Sequence, residues 1–263
     1  MRKSAAPTGK KRPAAVWRAP LLIASVLAAV GALMLVHHVL KPADAVYMTV
    51  DDTAIGSEEL RFYLQKNRAA AARRFADSRR TTEAGFWDTP QDGVAPIDYL
   101  IELATDELRQ DHALFADAAR LTDTPCLTFR QLCQQLEEEN ARREQGTFYG
   151  VQRYTPITYL DHVKSNLILQ HKRELKAQKG LFSPDEAALE AFYNSHRTAD
   201  PLFCREDGSY KSFADVRAKV AYLYEQEEYR VYLQTLLGQQ RVEIQRDAIR
   251  RLAESMEEQE EPL

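Results

Sequence analysis

Six histidines and three cysteines are the side chains of this chain best suited to chemistry, and their placement argues against most of it. Asp161 and His162 are neighbours in a helical pattern and so point apart, which is wrong for two members of a Ser-His-Asp triad. Ser195 and His196 fall at the expected end of a helix, where capping accounts for both. His37 and His38 close an apolar run and read as interfacial residues, whereas His112 and His171 lie near apolar stripes, as core histidines with satisfied ring nitrogens do. Cys126, Cys133 and Cys204 lack the Cys-x-x-Cys pairing of zinc sites. No H-E-x-x-H, G-x-x-x-x-G-K-[ST] or G-x-S-x-G motif occurs. The expectation is a protein with no catalytic residues, no metal and no cofactor, and therefore not an enzyme.

The cysteines also say little about covalent bracing. If 126–133 is helical, Cys126 and Cys133 stand about 10 Å apart along the axis, too far to bridge. One pair involving Cys204 and three buried free thiols both remain open.

Surface recognition is what remains. The chain has 12 Tyr and 10 Phe, and several fall in segments that are hard to bury. Phe148, Tyr149, Tyr154, Tyr159, Tyr193, Tyr224, Tyr229 and Tyr232 are the candidates for lining an apolar groove. Core packing is the competing explanation for the same rings.

Such residues need a compartment and a scaffold. Residues 19–40 carry no charge and are long enough to cross a bilayer as a helix, which takes about 20 residues. Before them stand Arg2, Lys3, Lys10, Lys11, Arg12 and Arg18 and no acid, so segment 1–18 is expected to stay cytoplasmic, with Arg12 and Arg18 as orienting charges. The chain beyond the span is then extracytoplasmic and more acidic than the overall net charge of −4. That balance disfavours nucleic acid, which is held by Lys and Arg. Ala43-Asp44-Ala45 has the form of a signal-peptidase site, and cleavage after Ala45 would release a secreted protein instead.

The scaffold reads as mainly helical. Residues 46–50 alternate, Asp51-Asp52 makes a turn, and Ile55 belongs to a short extended return. Ser57 caps a helix with Glu58 and Glu59 in its first turn, which runs to about Phe75. Residues 77–96 form a long connection pinned by Phe86-Trp87. Helices are expected from about Pro96, from Thr128 as cap, from about Pro156 to Gln178 with Gly180 as stop, and from Ser183, with Pro184 at its first position and Glu186 closing a capping box. Pairs Glu138–Arg142 and Glu139–Arg143 suit an exposed helix face. Ser212 caps the longest helix after the span, to about Gln240, whose apolar stripe changes phase midway, so its halves should meet different neighbours. Residues 242–244 alternate as a second strand, Asp247 caps a last helix, and 253–263 read as an acidic tail.

Several segments together resemble SurA-type and PrsA-type exported foldases. The stretch Val46-Tyr-Met-Thr-Val-Asp-Asp-Thr-Ala-Ile-Gly-Ser-Glu-Glu-Leu60 resembles their strand, turn and acidic helix start. Leu175 to Tyr193 is similar to the helix that leads into their parvulin domain, Ser212 to Val220 to the helix that resumes after it, and 242–244 to their closing strand. Phe86-Trp87, the run Glu138 to Arg143 and Tyr149-Gly150 resemble membrane-anchored bacterial relatives. The likeness covers most of 46–250. It departs at one place, because only Arg197 to Lys211 stands where a parvulin domain of roughly 90 residues would be, too little to fold.

The resemblance implies a peptidyl-prolyl isomerase family member without the isomerase domain. It implies a helical chaperone module over 46–252, with the strands near 46–50 and 242–244 pairing to close it. The expected location is the bacterial cell membrane, single-pass, with the helical domain outside. The expected partners are unfolded or newly exported polypeptides, and a homodimer is left open. An envelope scaffold recognising one folded partner is the alternative.

Overall fold

In the computed structural model, which describes residues 45–75, 85–146, 149–198 and 200–257, Met48 and Val50 turn into the core while Thr49 between them does not. This alternation defines strand β1 (Met48–Val50), which is flanked by β2 (Thr53–Ile55) and β3 (Val242–Ile244) in an antiparallel sheet of order β2-β1-β3. Met48 faces Ile55 on one side and Ile244 on the other. The expected pairing of the two distant strands is therefore present, and the short return joins them as a third strand. Asp51 takes a left-handed φ of 53°, a conformation that Asp tolerates in turns. Its carboxylate accepts the Arg241 N–H at 2.9 Å, which ties the turn to the start of β3.

Seven helices make up most of the described residues: α1 (Ser57–Phe75), α2 (Pro96–Thr122), α3 (Phe129–Glu144), α4 (Pro156–Lys179), α5 (Glu186–His196), α6 (Phe213–Gln239) and α7 (Arg246–Glu257). A 3-10 turn at Pro201–Phe203 lies between α5 and α6. Every element named here belongs to the unit that begins at Val46. Arg12, Arg18, the apolar run 19–40 and residues 258–263 lie outside the described residues. Among the described residues no helix is long and apolar enough to cross a membrane.

Helix α2 is the axis of the fold. It packs against α1, α4, α6 and α7, while α3 leans on α4 and α5 on α6. Its period of apolar residues puts Ile97, Leu100, Ala104 and Leu108 in one core with Leu60 and Leu64 of α1, Ile249 and Leu252 of α7, and the sheet. Burying one such Leu or Ile contributes about 1.5–3 kcal/mol, so this cluster dominates the body's stability. Phe86 is buried and Trp87 packs on the core, where the Arg68 guanidinium lies 4.9 Å from its ring centre.

The halves of α6 do meet different neighbours. Val216 and Val220 pack with Leu189, Tyr193 and Phe203, whereas Tyr229 packs with Leu121, Leu175 and Phe182.

Capping follows local chemistry with three corrections, the first at α1, where Ser57 is already helical and Gly56 stands in the cap position, its carbonyl accepting the Leu60 N–H. Thr128 and Gln131 form a reciprocal box at α3, and the Ser212 side chain accepts the Asp215 N–H at α6. Gly180 ends α4 with a φ of 66°, which a side chain would strain. At α5 the cap is Asp185, which accepts the Ala188 N–H at 2.8 Å, so neither Ser183 nor a Glu186 box starts the helix. Phe182, at φ 61° with its N–H held by Glu228, fixes the incoming chain and delays the helix start. At α7 the carbonyl of Gln245 accepts from Ala248 and Ile249, and Asp247 lies inside the first turn.

Other expectations are corrected too. The expected Glu139–Arg143 pair forms at 2.7 Å, but Arg142 turns to the same Glu139, three residues before it, and Glu138 accepts from Gln134. Cys126 precedes α3 and is exposed, Cys133 and Cys204 are half-buried, and all three thiols are free. Helix α7 continues through 253–257, where Ala253 is buried, so that stretch belongs to the body rather than to a tail.

Candidate functional site

Along α6, positions 224, 228, 231, 232 and 235 recur at helical spacing and share one face. That face forms one wall of an open cleft of about 330 Å³. Phe192 of α5 and Leu181 of the preceding loop supply the other wall. The Phe192 and Tyr224 rings meet edge to face at 5.6 Å. Phe192 also stacks on His196 at 4.0 Å, which backs it from behind. Val231 is 49% exposed, unusual for a branched apolar residue in mid-helix, and opens directly onto the cleft.

Two carboxylates edge this apolar surface. Glu227 pairs with Arg230 at 2.5 Å. Glu228 accepts the Phe182 N–H at 2.9 Å and the Tyr224 hydroxyl at 3.3 Å. Burial, with Glu228 beside it, raises the Tyr224 hydroxyl pKa.

Tyr232 links the cleft to a buried polar centre. Its hydroxyl donates to Asp117 at 2.7 Å and accepts from the Lys179 ammonium at 2.7 Å. Burial, then the Asp117 carboxylate, pushes this hydroxyl up to about 12. His171 has a fully buried side chain, and its Nε2–H donates to Asp117 at 2.9 Å while its Nδ1 accepts the Tyr229 hydroxyl at 3.0 Å. Burial lowers the His171 pKa and Asp117 only partly opposes it, so the ring is neutral. Burial works to raise the Asp117 carboxyl, but hydrogen bonds from Tyr232, Arg120 and His171 outweigh it and hold the group below the usual carboxylate range. This set joins α2, α4 and α6 and fixes the orientation of Tyr232.

A second open cleft, of about 610 Å³, lies between α3 and the start of α4. The Asn140 side chain holds Tyr154 there by both its backbone N–H and carbonyl. Tyr154 carries the Arg143 guanidinium at 4.6 Å, meets Tyr159 edge to face and stacks on His162. Glu137, Glu144 and Arg153 make its rim polar, and it presents less apolar side-chain character than the first.

The aromatic candidates thus separate. Tyr224 and Tyr232 share the first cleft and Tyr154 edges the second. Tyr159, Tyr193 and Tyr229 are buried, so they support walls and present no face to a ligand. Tyr149 is fully exposed and lines neither cleft. Phe148 lies outside the described residues.

Leu181, Phe192, Glu228, Val231 and Thr235 escape a reading of the sequence alone. The signal for them is the phase change in α6, which leaves Val231 apolar on the side where a single-phase helix is polar.

The polar pairs of catalytic types each have partners in the fold. Ser195 and His196 both bond the Phe192 carbonyl, at 2.9 and 2.8 Å, and the Ser195 Oγ lies 2.9 Å from the His196 Nδ1. Asp161 pairs with Lys66 at 2.8 Å, on the other side of α4 from the His162–Tyr154 stack. His112 meets Glu59 at 2.7 Å. Among the described residues no group of three or more His, Cys, Asp or Glu could hold a metal ion. No family model, curated protein or solved structure matches this chain.

Proposed function

We propose that this chain is a membrane-anchored, extracytoplasmic chaperone-like protein that holds unfolded or newly exported polypeptides and has no isomerase domain of its own. The observation that carries the reading is the open apolar cleft on α5 and α6, with Val231 exposed and Tyr224 and Tyr232 only partly covered by the neighbouring cores. The resemblance to SurA-type and PrsA-type foldases supports it, and so does the apolar run 19–40 behind a basic segment. The short connection from Arg197 to Lys211 holds a 3-10 turn and a single β-bridge between Cys204 and Tyr210, with no room for a parvulin fold.

The size of the cleft sets the mode of action. About 330 Å³ is at the small end for a ligand pocket and takes one or two large side chains. Each buried anchor contributes about 1.5–3 kcal/mol, against the roughly 8 kcal/mol that micromolar binding requires. One cleft therefore binds weakly and releases quickly, as a holding protein without a nucleotide cycle needs.

The test is light scattering from a denatured exported protein diluted into buffer with the full-length chain. Equimolar protein should lower the scattering, and Val231→Asp should abolish the effect by placing a charge in the apolar wall. Unchanged scattering with the wild-type chain would sink the proposal.

A further inference from the structure

Glu228 is the least settled charge at the cleft. Its carboxylate is half-buried in an apolar wall and accepts from two neutral donors, the Phe182 N–H and the Tyr224 hydroxyl. Among the described residues no Lys, Arg or His lies within ion-pair distance of it, whereas Glu227 next to it has Arg230. The Lys179 ammonium is engaged with the Tyr232 hydroxyl and ring. A carboxylate that has lost part of its water and lacks a cation gains most from a ligand that brings one.

We propose that the cleft selects extended segments in which an aromatic or branched aliphatic anchor has a Lys or Arg two residues away. The proposal rests on the chaperone-like reading above and specifies its ligand. In an extended chain, residues i and i+2 share a face and stand about 7 Å apart. One residue can then enter among Phe192, Tyr224 and Val231 while the second reaches Glu228. Charge complementarity chooses this occupant over a second copy of the chain, whose own cleft edge is acidic.

The experiment is fluorescence anisotropy with labelled decapeptides carrying Phe-Ser-Lys, Phe-Ser-Gln or Ala-Ser-Lys at the centre of an otherwise Gly-Ser sequence. The full-length chain is held in phosphatidylcholine nanodiscs, with empty discs as blank. Phe-Ser-Lys should bind about fivefold tighter than Phe-Ser-Gln, the size of a partly screened ion pair, and Ala-Ser-Lys should bind worst. Glu228→Gln keeps an acceptor for the Phe182 N–H and should erase the Lys preference while leaving the Phe dependence. If that variant fails to fold, 0.5 M salt on the wild type provides the same test, because screening removes an ion pair and spares an apolar anchor.

Equal binding of the Lys and Gln peptides, both lost in Val231→Asp, overturns the charge selection and leaves the chaperone-like reading standing. A Lys preference that survives Glu228→Gln overturns the assignment to this carboxylate. A dimer in sedimentation that Val231→Asp splits, with no peptide competing, assigns the cleft to a second copy and overturns the proposal. No binding of any peptide overturns both readings together.

Discussion

Asp111 and Asp117 lie on the same helix, both buried, yet their carboxyl groups are pushed in opposite directions. Burial raises the Asp111 pKa above the usual carboxylate range, and Lys164 at 2.6 Å with the Tyr63 hydroxyl at 2.9 Å only partly offsets it. Asp117 lies less deep and feels a smaller penalty, and three donors converge on it, so the balance reverses. Depth and donor number together set the sign. The two centres also differ in reach. Asp111 binds α1, α2 and α4 into a set that closes on itself through Lys164, Glu107, Lys66 and Asp161. Asp117 ends at Tyr232, which is part of the cleft wall. The first centre serves the body alone, while the second holds the body together and also positions the binding surface.

The largest effects come from deleting each carboxylate. Removing one partner from a buried polar centre costs about 3–5 kcal/mol. Asp117→Ala should approach that figure, because it strands the buried His171 Nε2–H and removes the acceptor that fixes the Tyr232 hydroxyl. Asp111→Ala should fall below it, since Lys164 keeps Glu107 at 3.3 Å. Urea unfolding measures both. At a temperature where both variants remain folded, only Asp117→Ala should weaken peptide binding. Equal weakening in the two would dissolve the distinction.

Acid separates the centres at smaller scale. Asp117 has its folded pKa below the unfolded value, so its contribution is present above about pH 4 and is lost as pH falls through the folded pKa. Asp111 has its folded pKa raised, so its contribution runs the other way, present at low pH and lost as pH rises through the folded value. His171, with a lowered folded pKa, adds a loss of stability as pH falls below about 6.5. Asp117→Asn should flatten the acid side of the stability curve, and Asp111→Asn should steepen it. Each pKa unit corresponds to about 1.4 kcal/mol in urea melts at stepped pH. Parallel curves would mean that the two carboxyl groups titrate alike despite their different surroundings.

The sequence exposes the parts of this arrangement that depend on neighbours in the chain. Thr128, Ser212 and Gly180 mark helix ends through contacts within a few residues, and each does so in the fold. The strands at 46–50 and 242–244 are accessible because both alternate, whereas their pairing across the chain is implied only by the resemblance to exported foldases. His171 can be read as a satisfied core histidine from its place on an apolar stripe, but its partners cannot, since Asp117 and Tyr229 are 54 and 58 residues away. The cleft is half visible. Tyr224 and Tyr232 qualify because they are aromatic, yet Tyr193 and Tyr229 satisfy the same criterion and are buried. Side-chain type cannot tell the face of α6 that meets α5 from the face that stays open. Only the packing of a second helix decides it, and that packing also brings in Phe192 and Leu181.

The smallest effect tests whether the cleft feels its own hairpin more than the body. Thr128 caps α3 in the body, and Asp185 caps α5, which carries Phe192. Replacing either by Ala should cost about 1 kcal/mol of stability, the usual value of a cap. Ser183→Ala should cost much less, because its side chain caps nothing. The two cap variants then match in melting temperature but differ in function: fraying α5 lets Phe192 leave Tyr224, whereas fraying α3 moves no residue of the cleft. Peptide binding should fall about twofold in Asp185→Ala, a modest part of one anchor's contribution, and stay unchanged in Thr128→Ala. A matched loss of binding in both would show that the cleft depends on overall stability and not on the geometry of the α5–α6 wall.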